Sequence, residues 1–105
     1  MASIRSLSEL ETTPHADVFP GREPKTVRLE LEAGEAIPGH THPDREIVLY
    51  VVDGLLELRL GDDSHELTTE DIARFDGDQE ISPQAIEDSI VLIVLAKQAE
   101  FDGKE

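Results

Sequence analysis

Gly34-Glu35-Ala36-Ile37-Pro38-Gly39-His40-Thr41-His42-Pro43-Asp44-Arg45-Glu46 runs directly into Ile47-Val48-Leu49-Tyr50-Val51-Val52 and then Asp53-Gly54. Two of the four histidines stand two residues apart here, with a glutamate four residues past the second. On an extended strand, side chains at i, i+2 and i+6 project to one face. A regular strand therefore gathers His40, His42 and Glu46. Two neutral imidazoles and a carboxylate on one face form an N,N,O set suited to a first-row transition metal with coordination positions left open. The apolar strand that follows places this trio at the mouth of a core.

The 105 residues make one domain with a single modest core. There is no cysteine, which excludes disulfides, zinc ribbons and thiol catalysis. The N-terminal Met-Ala-Ser-Ile-Arg-Ser-Leu-Ser lacks the unbroken apolar region of a signal peptide, and no apolar run approaches membrane-spanning length. The expectation is a soluble, cytoplasmic protein. Its 24 acidic against 9 basic residues give a formal net charge of −15. Such a surface repels nucleic acid and anionic membranes, both of which need a basic footprint. The acids are scattered through turns and strand faces rather than gathered in a tail, a pattern expected of a halophilic protein whose self-repulsion is screened by salt.

Outward from the histidines, Thr26-Val27-Arg28-Leu29-Glu30-Leu31-Glu32 alternates, with Val27, Leu29 and Leu31 in and the charged residues out. Ile47 to Val52 is apolar on both faces, so it is covered on both sides or lies in a subunit interface. Asp53-Gly54 is a hairpin signal. Leu55–Leu60, His65–Leu67, Ile72–Phe75, Gln79–Pro83 and the β-branched run Ser89–Ala96 supply further strands between turn residues. Residues 1–25 hold Pro14, Pro20-Gly21 and Pro24 and read as an arm lying across the barrel or a partner, with His15 solvated in it. Residues 97–105 read as a polar tail. Short strands with regular turns, and no long helix, indicate an all-β sandwich or barrel.

The pattern Gly34, five residues, His40-Thr41-His42, three residues, Glu46 resembles the first motif of the cupin superfamily, in its small single-domain members. Leu67 to Phe75, through Ala85 to Ser89 and the apolar strand, is similar to the second motif and its flanks, so the likeness spans about residues 26–96. The resemblance implies a jelly-roll barrel, a double-stranded β-helix, usually a homodimer, holding a divalent metal (Fe, Mn, Ni or Zn). It carries the ligand role to His40, His42 and Glu46. Two departures stand out. Seven residues separate Glu46 from Gly54 where the family has six, so counting back from Gly54 puts the ligand on Ile47 unless a β-bulge intervenes. The family's fourth ligand, a histidine, is matched by Ile81, and neighbouring Glu80 replaces it only through a register shift.

Other residues have two readings each. Tyr50 and Phe75 are core aromatics or line the cavity, as does Ile81; Arg74 faces the cavity to bind an anionic substrate, or is an exposed ion-paired arginine. His65 is solvated beside a turn. No nucleophile triad and no phosphate-cradling loop is visible. Two functions follow. One is a metalloenzyme, an oxygenase or isomerase acting on a small organic molecule. The other is a non-catalytic binding or sensing barrel with a vestigial or empty metal site.

Overall fold

The computed structural model describes residues 2–98. After a single helical turn at Leu7–Glu9 come eight strands: β1 (His15–Asp17), β2 (Lys25–Leu31), β3 (Arg45–Asp53), β4 (Leu55–Leu60), β5 (Asp63–Thr68), β6 (Ile72–Asp76), β7 (Ile81–Ala85) and β8 (Ser89–Lys97). All pairings are antiparallel, in a five-stranded sheet ordered β1-β2-β8-β3-β6 and a three-stranded sheet ordered β5-β4-β7. The two sheets face one another as the halves of a jelly-roll barrel. Among the described residues no helix is long and apolar enough to cross a membrane.

Alternation sets what enters the barrel. Val27, Leu29 and Leu31 of β2, Ile47, Leu49 and Val51 of β3, and Leu56 and Leu58 of β4 are all buried. Each strand contributes every second residue, as the pleat requires. Fully burying one such side chain stabilises by about 1.5–3 kcal/mol before conformational entropy is counted. Strands β2, β3 and β8 line up so that Leu31 faces Ser89 and Val51 faces Val91 at one end, while Lys25 and Ile47 both face Leu95 at the other. The first end is closed by packed aliphatics; the second is open.

Three local findings differ from the expectations. The Asp53-Gly54 step is not a hairpin, because β3 and β4 belong to different sheets. It is a bend that carries the chain from one sheet to the other. Gly54 has φ +122°, and a Cβ there would strike the Ser89 hydroxyl and the Asp88 carbonyl. Glycine is thus required by conformation and by space.

The second concerns Arg28, which points away from the barrel interior as its alternation predicts, yet is 3% exposed. Its guanidinium donates to the carbonyls of Leu7, Leu10 and Thr12 at 3.2, 3.3 and 2.9 Å and lies 3.3 Å from Glu30 Oε1. The N-terminal arm is therefore tied across the outer face at the β2 edge. Third, residues 15–17 form a strand where a loop was expected. Proline-flanked and only three residues long, β1 gains its hydrogen bonds from the otherwise open edge of β2. At the other terminus, the expected polar tail falls, beyond Gln98, outside the described residues.

Candidate functional site

The histidine segment is not a regular strand. Residues 34–42 run beside β7 through isolated backbone bonds: Ile37 N to Pro83 O at 2.9 Å, His40 N to Ile81 O at 3.1 Å, and Ile81 N to His40 O at 2.8 Å. Pro38 and Gly39 interrupt the ladder. After His42 the chain turns through Pro43 and Asp44, the latter at φ +64°, with Arg45 N bonded to His42 O at 3.2 Å. Gly77 supports this turn from below. His42 N donates to Gly77 O at 2.7 Å, and Gly77 N to Arg45 O at 2.9 Å. A Cβ on Gly77 would fall on the His42 carbonyl oxygen, so only glycine permits this approach.

The turn changes which side of β3 each residue takes. Ile47 and Leu49 face inward, while Glu46, Val48 and Tyr50 take the outer face, Glu46 opposite Asp76 and Ala96. There Glu46 forms an ion pair with Arg74. The register with β8 does shift, between Val51 and Asp53, at the far end of the strand. It does not bring Glu46 inward. Ile47, the position reached by counting back from Gly54, faces the cavity instead.

The open end of the barrel leads into a cavity of about 430 Å³. Its walls are apolar: Leu29, Ile47, Leu49, Phe75, Ile81 and Leu95 contribute from five strands. Its polar groups gather at the mouth, where His40 and His42 are joined by His15, Asp17 and Lys25. His15 and Asp17 stand opposite Leu29 and Val27, so the inward positions of β1 extend the cavity wall. The sequence reading missed His15. Its signal, a His-x-Asp alternation, was too short to distinguish a strand from a loop.

The rings of His40 and His42 pack edge to face with centroids 4.7 Å apart. Nδ1 of His40 lies 3.0 Å from the Pro38 carbonyl oxygen, which can only accept, so this nitrogen carries the proton and the neutral ring keeps its lone pair on Nε2. Partial burial lowers the pKa of both His42 and His15 below the ordinary imidazole value. Next in effect on each comes His40, followed by Lys25; Arg45 and His15 add to the effect on His42, while Asp17 opposes it at His15.

Of the residues singled out in the sequence, the cavity brings together His40, His42, Phe75 and Ile81. Tyr50 is half-buried on the outer face and is not part of the cavity wall. Arg74 is not either: its side chain is 72% exposed and paired with Glu46. Glu80 is exposed, its carboxylate lying over the space beside Gly39. His65 is exposed. Among the described residues, no three histidine or acidic side chains are arranged to hold a metal ion.

A family model described as a cupin domain matches residues 27–96, more than half of the chain. No curated protein matches it. Among solved structures, the TT1209 protein from Thermus thermophilus is similar, with 20% identity over 91% of this chain and 98% of that one and a TM-score of 0.78. An uncharacterized conserved protein with a double-stranded beta-helix domain from Klebsiella pneumoniae shares 21% identity, over 92% of this chain and 91% of that one, TM-score 0.77. KdgF from Halomonas sp. shares 22% identity, over 92% and 96%, TM-score 0.72. At these identities the likeness is one of fold.

Proposed function

The chain belongs to the cupin domain family, and we propose that its barrel is a non-catalytic binding or sensing cavity for a small, largely apolar organic molecule. One observation carries this reading: isoleucines, Ile47 and Ile81, stand at the inward positions where a metal-holding barrel would need a carboxylate and a third imidazole. The cavity's volume lies within the range of small-molecule sites, roughly 300–1,000 Å³, and such sites are mostly apolar with a few placed polar groups.

The family also implies a divalent metal, and the donor set here does not fit one. His40 and His42 face the cavity, Glu46 is turned away to Arg74, and Ile81 offers no donor. We therefore derive no catalytic step through a metal. Oxygenase or isomerase chemistry at Fe, Mn, Ni or Zn is the reading that the experiment must exclude. That experiment is NMR titration of the side-chain methyls with small apolar solutes. Shifts at Leu29, Leu49 and Ile93 are expected, abolished in Leu49→Trp, which fills the cavity. Absence of any shift would sink the reading. So would about one metal per chain in the wild type, lost in His40→Ala/His42→Ala.

We further propose that two copies of the chain associate through the outer face of the five-stranded sheet. Val48 and Tyr50 of β3 and Leu92 and Val94 of β8 form a continuous half-exposed patch there, with Ile72 of β6 65% exposed beside it. Four of the charges on this face form ion pairs, Glu46 with Arg74 and Glu30 with Arg28, leaving exposed Asp76 at its rim. In a chain of net charge −15, such a face permits a second copy to approach where the remaining acidic surface opposes it.

A further inference from the structure

We propose that the open end of the cavity is a head-group site and that the ligand is a small organic carboxylate, its apolar body inside the barrel and its carboxylate held by Lys25, His15 and His42. This rests on the barrel being a binding cavity, and it names the class of ligand.

The apolar walls fill space but cannot orient a molecule. Orientation comes from the polar groups, and these are confined to the mouth. Three of the four histidines and one of the three lysines converge there. Their positions are built into the fold. His15 lies on β1, whose register with β2 turns it toward the cavity, and the arm preceding β1 is tied down by Arg28. Lys25 opens β2 opposite Leu95, a cavity residue. The His42 ring is braced edge to face by His40, while the His42 backbone is bonded to Gly77.

Charge gives the direction. The chain as a whole is strongly acidic, yet Asp17 is the single carboxylate among the residues lining this cavity, set against one ammonium and three imidazoles. The mouth is therefore rich in hydrogen-bond donors, the Lys25 ammonium and the imidazole N–H groups, within an acidic protein. A carboxylate arriving there gains charge-assisted hydrogen bonds from exposed Lys25 and from the imidazole N–H groups, with its body in the apolar cavity. A neutral alcohol of the same size gains the apolar contact alone.

The test uses matched pairs, hexanoate with 1-hexanol and phenylacetate with 2-phenylethanol, titrated at fixed ionic strength with EDTA present and followed by NMR of cavity methyls and imidazole protons. The acid of each pair is expected to bind at least about tenfold more tightly than its alcohol. Lys25→Met, which keeps the aliphatic stem, and His15→Asn should each bring the ratio toward one; Lys97→Met, at the end of β8, should leave it unchanged. Equal binding of acid and alcohol would overturn the head-group site while leaving the cavity reading intact. Binding of neither would overturn both. A preference for acid that appears only when EDTA is replaced by a divalent metal would assign the carboxylate to a metal and overturn the role given to Lys25.

Discussion

On the three-stranded sheet, the outward positions carry Glu57 and Arg59 of β4, Ser64 and Glu66 of β5, and Ser82 and Gln84 of β7. At the centre of the five-stranded sheet they carry Val48 and Tyr50 of β3 and Leu92 and Val94 of β8, with the charged residues toward the edges. The inner faces of the two sheets are alike; the outer faces are not. Clean alternation, as in β4, marks a sheet with one face in water. Strands apolar on both faces need a cover. The arm supplies one at the β2 edge through Arg28, and we assign the rest of the face to a second copy.

The strongest way to break this contrast is Val94→Asp, which puts a charge in the middle of the apolar outer face. Light scattering should show the mass falling from two chains to one, with the dissociation constant raised about a thousandfold. The counterpart Gln84→Asp, on the polar outer face, should leave the mass unchanged. A wild type that is already monomeric at high micromolar concentration would remove the assembly from the account.

The next effect concerns the part of the face covered by the arm. Arg28→Ala removes the guanidinium that bonds three arm carbonyls, and chemical denaturation should show unfolding easier by about 2–3 kcal/mol. Hydrogen exchange should rise at His15, Ala16 and Asp17, where β1 loses its anchor. A loss below about 0.5 kcal/mol would mean the arm is held by other contacts.

On the water-facing sheet, Glu57 and Glu66 stand directly opposite one another. Like charges in this relation repel, so Glu57→Gln should stabilise by about 0.5 kcal/mol at low salt. The gain should vanish near 1 M NaCl, where screening is short-ranged. The wild type itself should melt at higher temperature as salt is added. Melting independent of salt would argue against adaptation of this acidic surface to high salt.

The smallest effect is at the rim of the five-stranded sheet. Arg45 donates to Glu23 at 2.8 and 3.1 Å and to the Leu95 carbonyl at 2.7 Å. The hydrogen bond to Arg45 lowers the Glu23 carboxyl below its ordinary value of 4.5. With the folded value depressed, the unfolded chain takes up the proton first. The pair's contribution is therefore present above pH 4.5 and is lost as the pH falls through the lowered value. In Arg45→Ala, NMR titration should find the Glu23 carboxyl back near 4.5. No change would mean the pair is not formed in solution.

Much of the barrel was legible because alternation is a local property. Leu55–Leu60 was read with the bounds of β4, and Val27, Leu29 and Leu31 were assigned inward from their spacing. The motif around His40 and His42 was legible for the same reason, since a glycine, two histidines and an apolar run lie in one stretch. What misled was the assumption of a regular strand from His40 to Glu46. Pro43 and the positive φ of Asp44 break it, and the two-residue parity is lost across that turn.

Sequence alone determined that this chain is all-β, that the apolar positions of β2, β3, β4 and β8 make one core, and that His40 and His42 stand together beside it. These follow from the two-residue period of a strand and from the short range over which turn residues act. Only the tertiary structure decided that Glu46 faces Arg74, that Ile47 and Ile81 wall the cavity, and that His15 and Lys25 join the two histidines at its mouth. Those outcomes depend on which strand edges pair across the chain and on where a turn shifts the register. A strand's own sequence states its period but not the partner that will fix its face.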